Sequence, residues 1–258
     1  MLQFTSIELN NFITGFMWPL TRILGLIATA PLFSNVSIPR RVKIGFGILL
    51  AMIVAPTVQV PTGLEPTSME GMMILMQQLL IGIAMGFSMR VIFSAVELGG
   101  EVASMTMGLG FATFFNPQSQ GRSNAVSQLL SLLTLMVYLA ANVHLAMLST
   151  LVESFTTMPI TLGPLQGNIA EQVVHWAGRV FSAGLQLSLP IVAALLITNM
   201  ALGILTRAAP QLNLFGIGFP ITLAVGFSMI GLTLPYLATP LATLFQEAIQ
   251  TIRQLTGG

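Results

Sequence analysis

The sequence has no cysteine and, among its acids, no aspartate. Without thiols it has no disulfide framework, no thiol nucleophile and no Cys-ligated metal. Without Asp, the usual catalytic triads and paired-aspartate sites lose a standard part. Histidine is scarce too: His144 and His175 cannot build a His-rich metal site alone. Charge is the largest shortfall. Nine Lys or Arg and eight Glu make up only 7% of 258 residues, where a soluble domain carries about 25%. A net charge of +1 leaves no dense basic face, which speaks against nucleic-acid binding. The start, Met1-Leu2-Gln3-Phe4, lacks a cationic n-region and a cleavage site, so no removable signal peptide is expected. These absences speak against an enzyme, a metal and a cofactor.

What remains is apolar. Hydrophobic residues make up 54% of the chain and the mean hydropathy is +0.87, too little polar surface to stay dispersed in water. The chain is therefore expected to be all-α and membrane-associated, since a helix needs roughly 20 apolar residues to cross a bilayer. Gaps between charges mark about six long, kinked elements: Asn11–Ser34, Ile44–Val60, Gly71–Val96, Gln128–Val152, Val180–Thr206 and a last one between Gln211 and Thr239. A Gly-rich, poorly periodic stretch, Val102–Gly121, separates the third from the fourth. Pro56, Pro61 and Pro66 close the second run, and Pro159 and Pro164 precede an amphipathic segment, Ile169–Trp176. No linker is polar enough to mark a separate soluble domain, so residues 1–258 are expected to form one unit.

Several runs are marginal as lipid-facing spans. Asn11–Ser34 holds ten Leu, Ile or Phe, each contributing at best about −0.3 to −0.6 kcal/mol at a helix centre. Arg22 sits mid-run and costs about +2.5 to +3.5 kcal/mol on the same scale. Pro220, Pro235 and Pro240 each remove a backbone donor from the last run. Such features survive at membrane depth when protein partners satisfy the backbone. These helices are expected to pack mainly against protein. Arg40, Arg41 and Lys43 form the one dense cationic cluster, a turn that the positive-inside rule places toward the cytoplasm.

Individual motifs each admit two readings. Gly82 and Gly86 form a GxxxG element, which serves close helix packing within or between chains. Met69, Met72, Met73 and Met76 recur at helical spacing, either as core or as a deformable surface for irregular partners. Arg90, Glu97 and Glu101 can share one helical face, as a structural ion pair or as an intersubunit or permeation-path site. His144 reads as an interhelical hydrogen-bonding residue and not a ligand. The segment Met105–Gly121 is apolar yet interrupted by Gly108, Gly110 and Asn116-Pro117, with Phe111, Phe114 and Phe115 close together. It is either a buried turn or an irregular loop in a protein-enclosed cavity, where bulky apolar side chains close a pore by constriction.

At this loop the chain becomes recognisable. Trp18-Pro19-Leu20-Thr21-Arg22-Ile23-Leu24, Ile38-Pro39-Arg40-Arg41-Val42-Lys43-Ile44-Gly45, Gln77-Gln78-Leu79-Leu80-Ile81-Gly82, Gly100-Glu101, Gly108–Pro117, and Arg207–Phe215 with Gly218-Phe219-Pro220 occur in one order. In that order and spacing the chain resembles the FliR family of flagellar type III export-gate proteins over essentially its full length. The resemblance implies a helical assembly of bent hairpins built with FliP and FliQ, adjoined by FlhB and FlhA and passing unfolded flagellar substrates. It implies the bacterial inner membrane and flagellar basal body, with much of the assembly raised to the periplasmic side. It further implies a pore plug comprising Met105, Met107, Gly108, Gly110, Phe111, Phe114, Phe115, Asn116 and Pro117. Residues 1–180 look FliP-like, and residues 181–258 look like a FliQ hairpin turning at Arg207, Pro210, Gln211 and Asn213. Arg22, Arg90, Glu97 and Glu101 are then structural or intersubunit charges. The injectisome export-gate homologue and a stand-alone small-solute transporter are the alternative readings.

Overall fold

A computed structural model describes residues 6–110, 124–163, 168–209 and 214–257, and among these the chain forms α-helices and no strand. In chain order they are α1 (Ser6–Thr29), α2 (Arg40–Val54), α3 (Met69–Thr106), α4 (Ala125–Ala140), α5 (Val143–Thr157), α6 (Ile169–Ala177), α7 (Arg179–Ala208) and α8 (Leu214–Leu255). By length and composition Asn10–Thr29, Met69–Thr106, Ile169–Ala208 and Gly216–Leu255 can each cross a bilayer. The broken pair α4–α5 counts as a fifth if it forms one span. The all-α membrane class expected from composition is the class observed.

Local chemistry sets the helix starts. Pro39, fixed at φ −56°, precedes α2 and its carbonyl accepts the N–H groups of Val42 (3.0 Å) and Lys43 (3.3 Å). Ser68 caps α3: its Oγ accepts the Gly71 N–H (3.1 Å), satisfying one of the first-turn donors. At the start of α6 the Asn168 carbonyl accepts the first helical bond, from the Gln172 N–H at 2.9 Å.

Four expectations about the runs need correction. The cationic cluster is not a turn, since Arg40, Arg41 and Lys43 lie in the first turn of α2. The Gly-rich stretch is helical at its start, because α3 continues to Thr106. The fourth run is two helices, broken where Asn142 takes the left-handed conformation at φ 54°, which Asn tolerates better than most residues. The last run does not stop near Thr239 but continues to Leu255. Its tail buries Leu241, Leu244, Phe245, Ala248, Ile252 and Leu255, the 3.6-residue spacing of an amphipathic helix. Charge gaps missed it because Glu247 and Arg253 interrupt the apolar run without ending the helix.

The described chain resolves into two compact units. The first comprises Met1–Val91, Asn142–Ala177 and Phe245–Gly258. In it α1 and the first half of α3 pack closely: a Cβ at Gly82 would stand 2.1 Å from the Arg22 carbonyl oxygen, and one at Gly86 2.8 Å from that of Leu26. The GxxxG element therefore serves packing within this chain. Trp18, Ile23 and Leu26 of α1 are fully buried with Met85 and Met89 of α3. Trp176 ties α6 to the same unit, its Nε1–H donating to the Ser88 carbonyl at 2.8 Å. The second unit comprises Ile92–Ala141 and Gly178–Leu244. Its buried residues include Ile92, Ala95, Ala103, Tyr138 and Leu195, with the Tyr138 ring edge-on to Phe93 at 5.8 Å between centroids.

Candidate functional site

The segment singled out as a gate begins where α3 ends. Gly108 sits at φ 87°, the left-handed position just past a helix terminus that glycine fills without steric cost. The Leu109 N–H donates to the Ser104 carbonyl (3.1 Å) and the Gly108 N–H to that of Met105 (3.0 Å), the pair of bonds that defines a Schellman cap. Met107 is fully buried against α8. Its carbonyl accepts the Thr222 hydroxyl proton (3.1 Å), and its side chain fills the space beside Gly226, where a Cβ would come within 2.5 Å of Met107 Cγ. Met105, by contrast, is 61% exposed. The stem is thus a fixed helix end, clamped to α8 at Met107, from which residues 111–123 depart. Phe111, Phe114, Phe115, Asn116 and Pro117 lie outside the described residues.

The charged positions divide sharply. Arg22 is fully buried in α1, and no carboxylate meets it among the described residues. Its Nε–H donates to Gln78 Oε1 (2.7 Å), and Nη1 to the Ser154 carbonyl (2.7 Å) and Oγ (3.1 Å). Nη2 donates to the Met158 carbonyl at 2.9 Å. The guanidinium also lies 4.3 Å from the centroid of the Phe155 ring, a cation–π contact. Arg90, Glu97 and Glu101 are instead exposed and make no ion pair among the described residues. Glu97 only accepts a long hydrogen bond from the Ser131 hydroxyl, at 3.4 Å. An ion pair between Arg253 and Glu153, at 3.5 Å, was not anticipated.

The remaining candidates take their places around these. Arg40 and Arg41 are exposed and Lys43 half-buried. Their charge opposes the α2 dipole at its N-terminus, so they do not stabilise that helix; anionic headgroups are the surface they suit. Arg207 is exposed in the last turn of α7, while Pro210, Gln211 and Asn213 lie outside the described residues. Met69, Met72, Met73 and Met76 are between 55% and 72% exposed, which removes the core reading of the methionine stripe. His144 is half-buried at the start of α5 and His175 is exposed. No cluster of metal-ligating side chains occurs among the described residues.

Sequence reasoning missed Gln78 as a functional side chain. It lies one turn before the GxxxG glycine Gly82, within a stretch quoted only for the family resemblance, and the hint was a polar residue inside an otherwise apolar run.

Residues 13–248 match the family described as bacterial export proteins, family 1. The chain is 41% identical over 256 residues to the flagellar biosynthetic protein FliR of Pectobacterium carotovorum subsp. carotovorum, covering 99% of this chain and 97% of the relative. It is 39% identical over 256 residues to that of Escherichia coli strain K12, with the same coverage. Against that of Bacillus subtilis strain 168 it is 29% identical over 246 residues, covering 93% and 94%.

Proposed function

The chain belongs to the bacterial export proteins, family 1, and on that premise we propose that it is a non-enzymatic core subunit of the flagellar type III protein export gate. The carrying observation is the near-full-length match to relatives named flagellar biosynthetic protein FliR. In this reading it joins FliP and FliQ in a channel for unfolded flagellar substrates, next to FlhB and FlhA. The complex sits in the inner membrane within the basal body, much of it raised to the periplasmic side. Residues 1–180 take the place of a FliP-like part, and 181–258 that of a FliQ-like hairpin.

Two features of the chain support an assembly role. Apolar side chains such as Phe181, Ile197, Met200, Ile204 and Leu232 are more than 60% exposed, and lipid or other subunits must cover them. The stem of the gate segment is anchored, since Met107 is clamped by Thr222 and Gly226. Phe111, Phe114 and Phe115 then close the pore by excluding water until a substrate displaces them.

The test is ion leak through the assembled complex. Deleting Gly110–Gln118 keeps the Schellman cap at Gly108 and removes the plug. Cells carrying that complex should become permeable to small ions. Unchanged permeability with an intact complex would refute the gating role.

A further inference from the structure

A polar cavity of about 420 Å³ lies in the first unit. Its wall includes the carboxamides of Gln77, Gln78, Gln172 and Gln254 and the hydroxyls of Thr157 and Thr161. No acidic side chain lines it. Gln78 is only 1% exposed, and chemistry fixes its orientation. Arg22 can only donate, so the atom 2.7 Å from Arg22 Nε must be the carboxamide oxygen. The Gln78 NH2 group therefore turns away from Arg22, and it has no hydrogen-bond partner among the described residues. Gln77 is committed differently, its Nε2 donating to the Gly163 carbonyl at 2.6 Å. Gln78 lines the cavity, so an acceptor that enters from outside the chain can reach this uncommitted donor.

The charge of the site says which acceptor. Arg22 is a buried cation whose hydrogen bonds all end on neutral oxygens of Gln78, Ser154 and Met158. Its donation to Gln78 Oε1 polarises the amide and strengthens the N–H donors on the far side. The cavity thus presents donors backed by an uncompensated positive charge.

We propose that this cavity is a receptor for an acidic side chain of a partner subunit, whose carboxylate accepts from Gln78 and offsets the charge of Arg22. Gln172 and Gln254, both exposed at the rim, supply further amide donors to the same group. The proposal rests on the reading of the chain as one subunit of a multi-chain export gate.

Gln78→Glu tests it in the native complex. The new carboxylate pairs with Arg22 inside the chain, so the variant should accumulate in membranes at the wild-type level. It should also repel the incoming acid and lower recovery of the co-purified assembly by at least about tenfold. A second-site change of a partner Glu or Asp to Gln should restore recovery. Because the chain has no cysteine, Gln254→Cys gives a separate readout that leaves Arg22 and Gln78 intact. Maleimide labelling of that thiol in membranes should fall several-fold when the partners are co-expressed. Full assembly of Gln78→Glu, or equal labelling with and without partners, would overturn the receptor while the export-gate reading stands. Failure of the wild-type chain to co-purify with any partner would overturn both.

Discussion

Arg22 shows how a charge is accommodated in a helix of membrane-spanning length. A guanidinium offers a planar fork of donors, and here the fork reaches α3 on one side and the end of α5 on the other. Arg22→Met should therefore leave the acceptors on Gln78 and Met158 bare, at about 1–3 kcal/mol each. Arg22→Lys keeps the charge but has a single nitrogen, which cannot span both sides, so it should fall between wild type and Met. The thermal midpoint of the purified complex measures this. A Met variant melting with the wild type would show that the network contributes nothing. In the sequence Arg22 was visible as an expense of insertion, and burial against protein was the right inference. Its partners were not visible, because they lie 56, 132 and 136 residues away and nothing local marks a Gln or a helix-end carbonyl as the mate of an arginine.

At the scale of helices, glycine spacing was legible and the one sharp break was not. Gly82 and Gly86 were read as a packing motif, and the atoms opposite Gly82 all belong to the α1 backbone, which cannot give way. Gly82→Leu should force α1 and α3 apart and abolish accumulation of the chain in membranes. Gly45→Ala is the control, for a Cβ there meets nothing within 4 Å. In a helix interior Ala is favoured over Gly by about 0.5–1 kcal/mol, so that variant should accumulate normally. Normal accumulation of Gly82→Leu, followed by immunoblot of membranes, would refute the close-approach argument. Pro19, Pro190, Pro220, Pro235 and Pro240, by contrast, all lie inside continuous helices. Each removes one backbone donor, a local loss that neighbouring turns absorb. The break that did occur falls at Asn142, inside a run delimited only by its flanking charges, and a gap between charges cannot place a break within itself.

At the scale of the whole molecule, the question is what covers the surface this chain leaves open. The apolar window of α3 is 67% buried, whereas those of Ile169–Ala208 and Gly216–Leu255 are only 28% and 22% buried. Lipid alone could cover apolar side chains, but it could not cover Arg90, Glu97 and Glu101. These three are exposed on α3, a helix long and apolar enough to span. Facing hydrocarbon, an Arg at mid-helix would cost about 2.5–3.5 kcal/mol. With no ion pair inside the described chain to offset that, they must meet water or charges on another subunit. Combined Arg90→Gln, Glu97→Gln and Glu101→Gln exchange keeps the two glutamate shapes and a polar side chain at 90 while removing every ionic contact. Since no internal pair is lost, the variant chain should accumulate in membranes as the wild type does. Recovery of the proposed complex with FliP and FliQ should fall, because each intersubunit charge contact left half-made costs about 2–5 kcal/mol of association. Single reversions should restore recovery in steps, according to which charges have partners. Full recovery of the triple variant in detergent would show instead that these side chains face only water.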